Sequence, residues 1–416
     1  MLDRSQSPSI QEISNLQLIK PIQHRLKNNI PVYEINMGTQ EVIKLEVIFQ
    51  AGRPFEHKEM VARATSRLLK EGTKQHSSTE IAEKVDFYGG TLSMPVNLDT
   101  SNVVLYCLRK HFDKLLPILA EIILNPTFPE KELQRFIKNN QQRLQVELSK
   151  TDVVAYRTIT EYIFGKSHPY GYNSIYETYE ALTRKDLIEH HRKNYTADNC
   201  QIYISGKIDQ GVLNLLDEYL GKLPIDGQKK ISSLKLTEAK PKVVKIKHTE
   251  GVQSAIRIGR RVFKKKHADY HGLLVLNTIL GGYFGSRLMD NIREDKGYTY
   301  NIFSALDCML YDGYFYIGTE VGNEFVEPTL KEIYYEMERL QTELIGDEEL
   351  KMVRNYLLGT ILTNLDGPFN VADVVKNLYL EESSLGRFDE LIHTIKNISA
   401  EELRTLAKRY LQKDSF

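Results

Sequence analysis

The feature that most constrains this 416-residue chain is an internal repeat. Residues 128–136 (FPEKELQRF) and 345–353 (IGDEELKMV) open helical patterns of the same layout, 217 residues apart. Residues 182–195 (LTRKDLIEHHRKNY) are matched by 398–410 (ISAEELRTLAKRY), whose closing tyrosines Tyr195 and Tyr410 lie 215 apart. Both segments place Thr or Ser ahead of an acidic first turn, a helix-start signal. Residues 86–92 (DFYGGTL) correspond to 294–300 (EDKGYTY), 208 apart. Three matches in the same order at similar offsets point to a duplicated unit.

Each half reads alike. A strand (43–50; 255–259) leads into a helix, a second helix and a Gly turn follow, and alternating strands come next (91–108; 298–317). Long helices complete the unit. Strand pairs mixed with helix pairs predict an α+β fold: two homologous halves, each an antiparallel-rich sheet covered by helices. Residues 223–242 are polar, carry Pro near both ends and have no clear period, so they read as a linker. The expected division is 1–222 for the first domain, 223–242 for the linker and 243–416 for the second domain. The first half ends on a strand, 199–206 (NCQIYISG), after its last helix, and no such strand closes the second half at 416. Either the sequence is truncated there or the second sheet is one strand short, with an unpaired edge open to association.

Composition narrows the function classes. The 55 Lys and Arg balance 55 Asp and Glu, which argues against a general nucleic-acid binder. Cys107, Cys200 and Cys308 are about a hundred residues apart, with no C-x-x-C, so neither a disulfide framework nor a zinc knuckle is expected. The longest apolar stretch, 272–280, is too short to span a bilayer. The first residues lack the basic and apolar regions of a signal peptide. These features together predict a cytoplasmic protein without membrane or nucleic-acid partners.

The ordered landmarks carry a family resemblance. Gly52, Gly72-Thr73, Gly89-Gly90-Thr91, 125–128 (NPTF), 168–171 (HPYG), Asn194-Tyr195 and Ser205-Gly206 are followed by 280–282 (LGG), 286–288 (SRL) and 293–300 (REDKGYTY). Over nearly the whole chain this set resembles the insulinase/pitrilysin metallopeptidases, in particular the short bacterial members related to mitochondrial processing peptidase. The chemistry of that family depends on H-x-x-E-H in a helix of the first half. Two His four apart share one helical face and hold Zn²⁺, the Glu between them takes a proton from the metal-bound water, and a further Glu, roughly 75 residues on, is the third ligand.

The motif is missing here. Counting back from Gly72-Thr73 puts Arg63 and Arg67 at the two His positions and Ser66 at the Glu. A guanidinium stays protonated and offers a metal no lone pair. Glu147 is a candidate remnant of the third ligand. Either Arg63 and Arg67 lie on a solvated helical face beside the apolar stripe of Val61, Ala64 and Leu68, or one of them pairs with Glu147 and fills the former metal pocket. No metal and no cofactor are expected in this chain; the resemblance places zinc in a partner subunit.

In active members, as the resemblance implies, an Arg and a Tyr seven residues apart in the C-terminal half bind the substrate carbonyl and steady the oxyanion. Arg293 and Tyr300 have that spacing and are the candidate catalytic residues. The other reading is an exposed turn charge and a half-buried strand Tyr. Arg287 and Lys296 read as solvated charges. Residues 267–271 (HADYH) place two His four apart with Asp269 near, but they also fit an ordinary helix start. His190 and His191 are adjacent and point to different faces, a poor pair for one metal. Residues 168–170 (HPY) suit a structural loop. Residues 281–286 (GGYFGS) lack the Lys of a phosphate loop, and their glycines suit a close backbone approach.

The reading that joins these observations is the non-zinc subunit of a heterodimeric zinc peptidase acting on unfolded peptides. A homologous H-x-x-E-H partner carries the metal, and this chain adds Arg293 and Tyr300 in trans. The alternatives are an inert scaffold of the same fold and an autonomous peptidase with a relocated metal.

Overall fold

The computed structural model describes residues 13, 16–225, 234, 242–247 and 251–416. Most of the expected linker lies outside the described residues. The fold is α+β, and it repeats one unit twice with one large difference between the copies.

In the first half, strands β1 (Ile22–Arg25), β2 (Pro31–Asn36), β3 (Val42–Phe49), β4 (Thr91–Ser93), β5 (Ser101–Leu108) and β6 (Cys200–Gly206) form a six-stranded sheet, ordered β1-β2-β6-β3-β5-β4. Only β2 and β6 pair in parallel. Strand β3 is central, with Leu45 opposite Leu105 of β5 and Ile204 of β6. The strict period of two sends Ile43, Leu45, Val47 and Phe49 to one face, where they join the main core. That face is covered by helices α1 (Val61–Leu68), α2 (Ser78–Phe87), α3 (Phe112–Leu124) and α4 (Glu130–Leu148). After α5 (Thr151–Phe164) and α6 (Tyr176–Glu180), helices α7 (Arg184–Asn194) and α8 (Gln210–Tyr219) complete the layer.

In the second half, β7 (Gln253–Arg261), β8 (Ile302–Cys308) and β9 (Gly313–Gly322) form a three-stranded antiparallel sheet, ordered β7-β9-β8. It packs on α9 (Tyr270–Asn277), α10 (Val326–Thr342) and α11 (Asp347–Thr363). After α12 (Gly367–Leu380) come α13 (Gly386–Asn397) and α14 (Ala400–Tyr410), which close this second core. Two π-helical segments, Thr278–Gly282 and Met289–Asp295, replace regular helix here. Gly281 permits the close approach expected of its loop, since a Cβ there would stand 2.5 Å from the backbone N of Ser304.

The repeated helix starts are capped as their sequences predict. Thr183 and Ser399 each accept the backbone N–H three residues on, from Asp186 and Glu402, and each of those carboxylates accepts the N–H of the cap residue.

Each half lends one helix to the other. Helix α12 lies on the outer face of the first sheet, where Val371, Ala372 and Val375 pack against Ile35, Ile48 and Tyr203. Lys44 and Glu46 of β3 also face it. Lys44 pairs with Asp373 at 2.8 Å, and Lys376 pairs with Glu46 at 3.0 Å and with Asp373 at 2.5 Å. Helix α5, the repeat counterpart of α12, lies against β7 and β9 in the second sheet, where the Tyr156 and Tyr314 hydroxyls meet at 2.7 Å. The 168–170 loop has the structural place expected of it. Tyr170 donates a hydrogen bond to Asp99, Asp99 accepts the backbone N–H of Leu310, and His168 sits 3.7 Å from Asp312, which is ion-paired with Arg261.

Candidate functional site

Helix α1 is the element that carries the metal-binding face in the family that this sequence resembles. Its entry is sharp: Met60 adopts φ 68°, and the Glu56 carboxylate reaches forward to accept the Ala62 N–H at 2.9 Å. The other carboxylate oxygen accepts the Tyr172 hydroxyl at 2.6 Å. Burial pushes the Glu56 carboxyl up to about 7, against the pull of these donors. Sequence reasoning missed this cap, because a Glu six residues ahead of its target does not have capping-box spacing.

Val61, Ala64 and Leu68 face the core as the apolar stripe predicts. Ser66 is buried against Tyr195 at 1% exposure. Arg63 is half-buried and Arg67 is exposed. Among the described residues neither guanidinium has an ion-pair partner. The alternative in which one of them pairs with Glu147 is not formed. Glu147, in the last turn of α4, is taken by Arg143 one helical turn back at 2.6 Å. A neighbour at i,i+4 needs no loop closure and no burial, so it wins over a pair that must be desolvated between two helices.

The zinc of the family finds no donor set here. Two cations and a buried hydroxyl occupy the α1 positions, and the remaining carboxylate is engaged elsewhere. Among the described residues no group of three or more His, Cys, Asp and Glu side chains converges as a metal site would require. The other histidines have local duties. His190 donates its Nε2–H to the Ala51 carbonyl at 3.0 Å, and His191 donates to Ile123 at 2.8 Å, on different sides of α7. Burial holds both imidazoles down to about 4. His271 is buried with its pKa lowered to about 4, while His267 is exposed and stacks on Phe263. Asp269 between them is taken by Arg409 and by the Tyr410 hydroxyl at 2.6 Å.

Arg293 lies in the last turn of the π-helical segment Met289–Asp295, and Tyr300 precedes β8. Gly297, at φ 65°, makes the turn between them. The Arg293 guanidinium binds Glu294 at 2.7 Å and lies 4.7 Å from the centre of the Phe284 ring. Tyr300 is 89% exposed, and Phe284 beside Arg293 is exposed as well. Of two neighbouring charges expected to be solvated, Lys296 is exposed and Arg287 is not. Arg287, read as solvated, forms a two-pronged pair with Glu349 at 2.8 Å in each prong and is 11% exposed. Lys296 donates to Asn291 at 2.7 Å and pairs with Glu332 at 3.5 Å. Both anchor the segment that presents Arg293. Their carboxylate partners, Glu332 and Glu349, lie in α10 and α11, which no local pattern reveals.

Comparison with known proteins now decides the family. Residues 32–168 match the model of the insulinase peptidases, family M16, and residues 181–357 match that of the peptidase M16 inactive domain. The two matches together span more than half of the chain. This chain belongs to peptidase family M16. Its M16 relatives include the "uncharacterized zinc protease YmxG" of Bacillus subtilis, 23% identical over 93% of this chain and 95% of the relative. Another is the "non-peptidase homolog YmxG" of Helicobacter pylori, 23% identical over 88% and 86%. Among solved M16 structures, the inactive-domain protein of Pseudomonas fluorescens superposes with TM-score 0.88 at 21% identity, covering 95% of this chain and 96% of that one. A Helicobacter pylori protease gives 0.86 at 20% identity, covering 96% and 98%. At these identities the superpositions carry the fold.

The cytoplasmic expectation has a narrower structural counterpart: among the described residues no helix is long and apolar enough to cross a membrane.

Proposed function

We propose that this chain is the non-zinc subunit of a two-chain M16 peptidase acting on unfolded peptides. The observation that carries this reading is the face of α1. Arg63 and Arg67 stand where the resemblance places the zinc ligands, and among the described residues no cluster of carboxylates and imidazoles replaces them. A homologous partner with H-x-x-E-H would supply the metal and the general base. This chain would supply Arg293 and Tyr300, both suited to donate to a developing oxyanion. The exposure of Tyr300 supports a role toward a second protein, since its phenol is free to enter a partner's site. Arg293 would have to exchange Glu294 for substrate, an exposed pairing that is weak in water. The expected domain division at 223–242 belongs to the same reading, with the exposed pair on the second domain.

The test is reconstitution with a zinc-bearing M16 chain of the same organism, read with an unfolded fluorogenic peptide. Activity should appear on mixing and be absent from this chain alone. Arg293→Ala and Tyr300→Phe should each lower kcat of the mixture by about 10²-fold, the size expected for one lost oxyanion donor. Unchanged activity in both variants refutes the role in trans.

A second reading, an inert scaffold, is favoured by the Helicobacter pylori relative described as a non-peptidase homologue. It predicts a stable complex whose activity is the same with either variant. Stoichiometric zinc bound by this chain alone would instead favour a relocated metal.

A further inference from the structure

The turn that carries Arg293 and Tyr300 is tied down at both ends. On the Tyr300 side, Thr299 donates its hydroxyl to the Glu320 carbonyl of β9 at 2.7 Å, and Tyr298 stacks on Phe325 with ring centres 4.9 Å apart. On the Arg293 side the backbone leaves regular helix. Lys296 donates its N–H to the Asn291 carbonyl at 3.2 Å, Gly297 to Arg293 at 3.1 Å and Tyr298 to Ile292 at 3.0 Å. These bonds step back five, four and six residues, so the ladder is wide and uneven, a pattern that recurs at functional sites. A backbone this irregular needs side chains to fix it.

Asn291 supplies that fixing. It is buried, and its Nδ2 donates to Glu336 at 2.6 Å and to Glu332 at 3.3 Å, while its Oδ1 accepts the Lys296 ammonium at 2.7 Å. The partners set the orientation of the amide, since a carboxylate only accepts and an ammonium only donates. The residue type matters for the same reason: Asp cannot donate to the two carboxylates, and Leu can neither donate nor accept. Glu336 is 2% exposed in α10, and its other partner is Arg339 at 3.3 Å. A carboxylate is costly to bury unless it is hydrogen-bonded. Helix α3, which precedes α4 as α10 precedes α11, buries only apolar residues. The second half thus places a buried charge in this layer, and that charge is bonded to the residue two before Arg293.

We infer that Asn291 is a positioning residue for Arg293. Its carboxamide joins the chain on both sides of Arg293, at residues 291 and 296, to Glu332 and Glu336 of α10. The guanidinium is therefore carried on a fixed platform, and engaging a substrate requires only that it exchange its exposed partner Glu294. The inference rests on the two-chain reading for what Arg293 does, and on the geometry alone for how Arg293 is held.

The test combines Asn291→Leu, which keeps the bulk and removes all three hydrogen bonds, with Arg293→Ala in the reconstituted two-chain complex. Asn291→Leu should lower kcat about tenfold and leave KM within twofold. In the Arg293→Ala background it should have no further effect, because a residue acting through Arg293 then has nothing to position. A merely structural role would lower kcat by the same factor in both backgrounds. Asn291→Asp with Glu336→Gln exchanges donor and acceptor across the bond and should recover at least half of the kcat that Asn291→Asp alone loses. Should Asn291→Leu fail to fold, Asn291→Ala takes its place in the cycle. Hydrogen exchange in this chain alone is an independent readout. The amides of Lys296, Gly297 and Tyr298 should exchange at least tenfold faster in the Asn291→Leu chain, with those of β9 unchanged. Additive effects, an unaffected kcat in a complex that needs Arg293, or unchanged exchange at those three amides would overturn the inference. If Arg293→Ala leaves activity intact, the two-chain reading fails instead, and the exchange rates alone decide whether Asn291 holds the turn.

Discussion

The two sheets began as one design and solve the same problem differently. The first has six strands, and its central strand β3 is paired on both edges and covered on both faces. The second has three among the described residues, and there β7, in the position of β3, pairs with β9 alone. Burial follows the topology. Every residue of β3 after Val42 is buried, whereas in β7 only Ile256 and Ile258 are. The borrowed helices differ too. Helix α12 is clamped to the first sheet by buried ions, while α5 meets the second through aromatic rings and a pair of hydroxyls. The pairing pattern shows how much more completely the first central strand is enclosed among the described residues.

The largest expected difference between the halves is their response to acid. Imidazoles held near 4 in the folded state and near 6.5 in the unfolded state leave the unfolded chain binding more protons between those values. Stability therefore falls as pH drops from about 6.5 to about 4, by about 3 kcal/mol for each of His190 and His191. Glu56, raised to about 7, opposes this. It favours the folded state at low pH, and that contribution is lost as pH rises from about 4.5 to about 7. Among the described residues of the second half, His271 is the counterpart. Hydrogen exchange at pH 5 against pH 7 should show protection falling more around α7 than around α9, and equal losses would break the comparison.

The ion clamp comes next. Lys376→Ala leaves Glu46, whose side chain is 4% exposed, with Asn102 at 2.7 Å and a distant Lys44 at 3.9 Å. Removing one partner of a buried pair costs about 3–5 kcal/mol, to be read from urea unfolding. A smaller contrast is expected between the two central strands. Leu45→Ala should cost about 3–4 kcal/mol, and Ile258→Ala, in the less enclosed strand β7, about 2 kcal/mol. Equal costs would mean the second sheet is as closed as the first. The smallest effect belongs to the second sheet's outer face. Tyr156→Phe removes a hydroxyl pair while Tyr314 keeps its bond to Asp307 at 2.9 Å, so the loss should be about 1 kcal/mol.

Much of the fold was legible because its signals are local. The capped starts of α7 and α14, the acidic first turns of α4 and α11, and the period-two run of β3 and β5 all lie within short windows. Strands β1 and β2 escaped, being short and interrupted by charges whose burial depends on β6 and α12. The run Ile43-Lys44-Leu45-Glu46 reads as half-exposed, yet Lys44 and Glu46 are buried by a helix more than 300 residues away in sequence. No single-strand pattern encodes that. At the candidate site, the loss of metal ligands on α1 was readable residue by residue. Of the two readings of Arg63 and Arg67, the long-range pair with Glu147 is the one not formed, and Arg143, one turn away, takes that carboxylate instead. The anchoring of Arg287 and Lys296 rests on helices met later in the chain.

The central claim is that this chain lends its surface to a metal held elsewhere. It is tested most directly by the zinc content of a purified one-to-one complex with a zinc-bearing M16 partner, measured alongside each chain alone. The account predicts one zinc in the complex, one in the partner and none in this chain, with peptidase activity only in the complex. A zinc held by this chain, or full activity of the partner without it, would contradict the account.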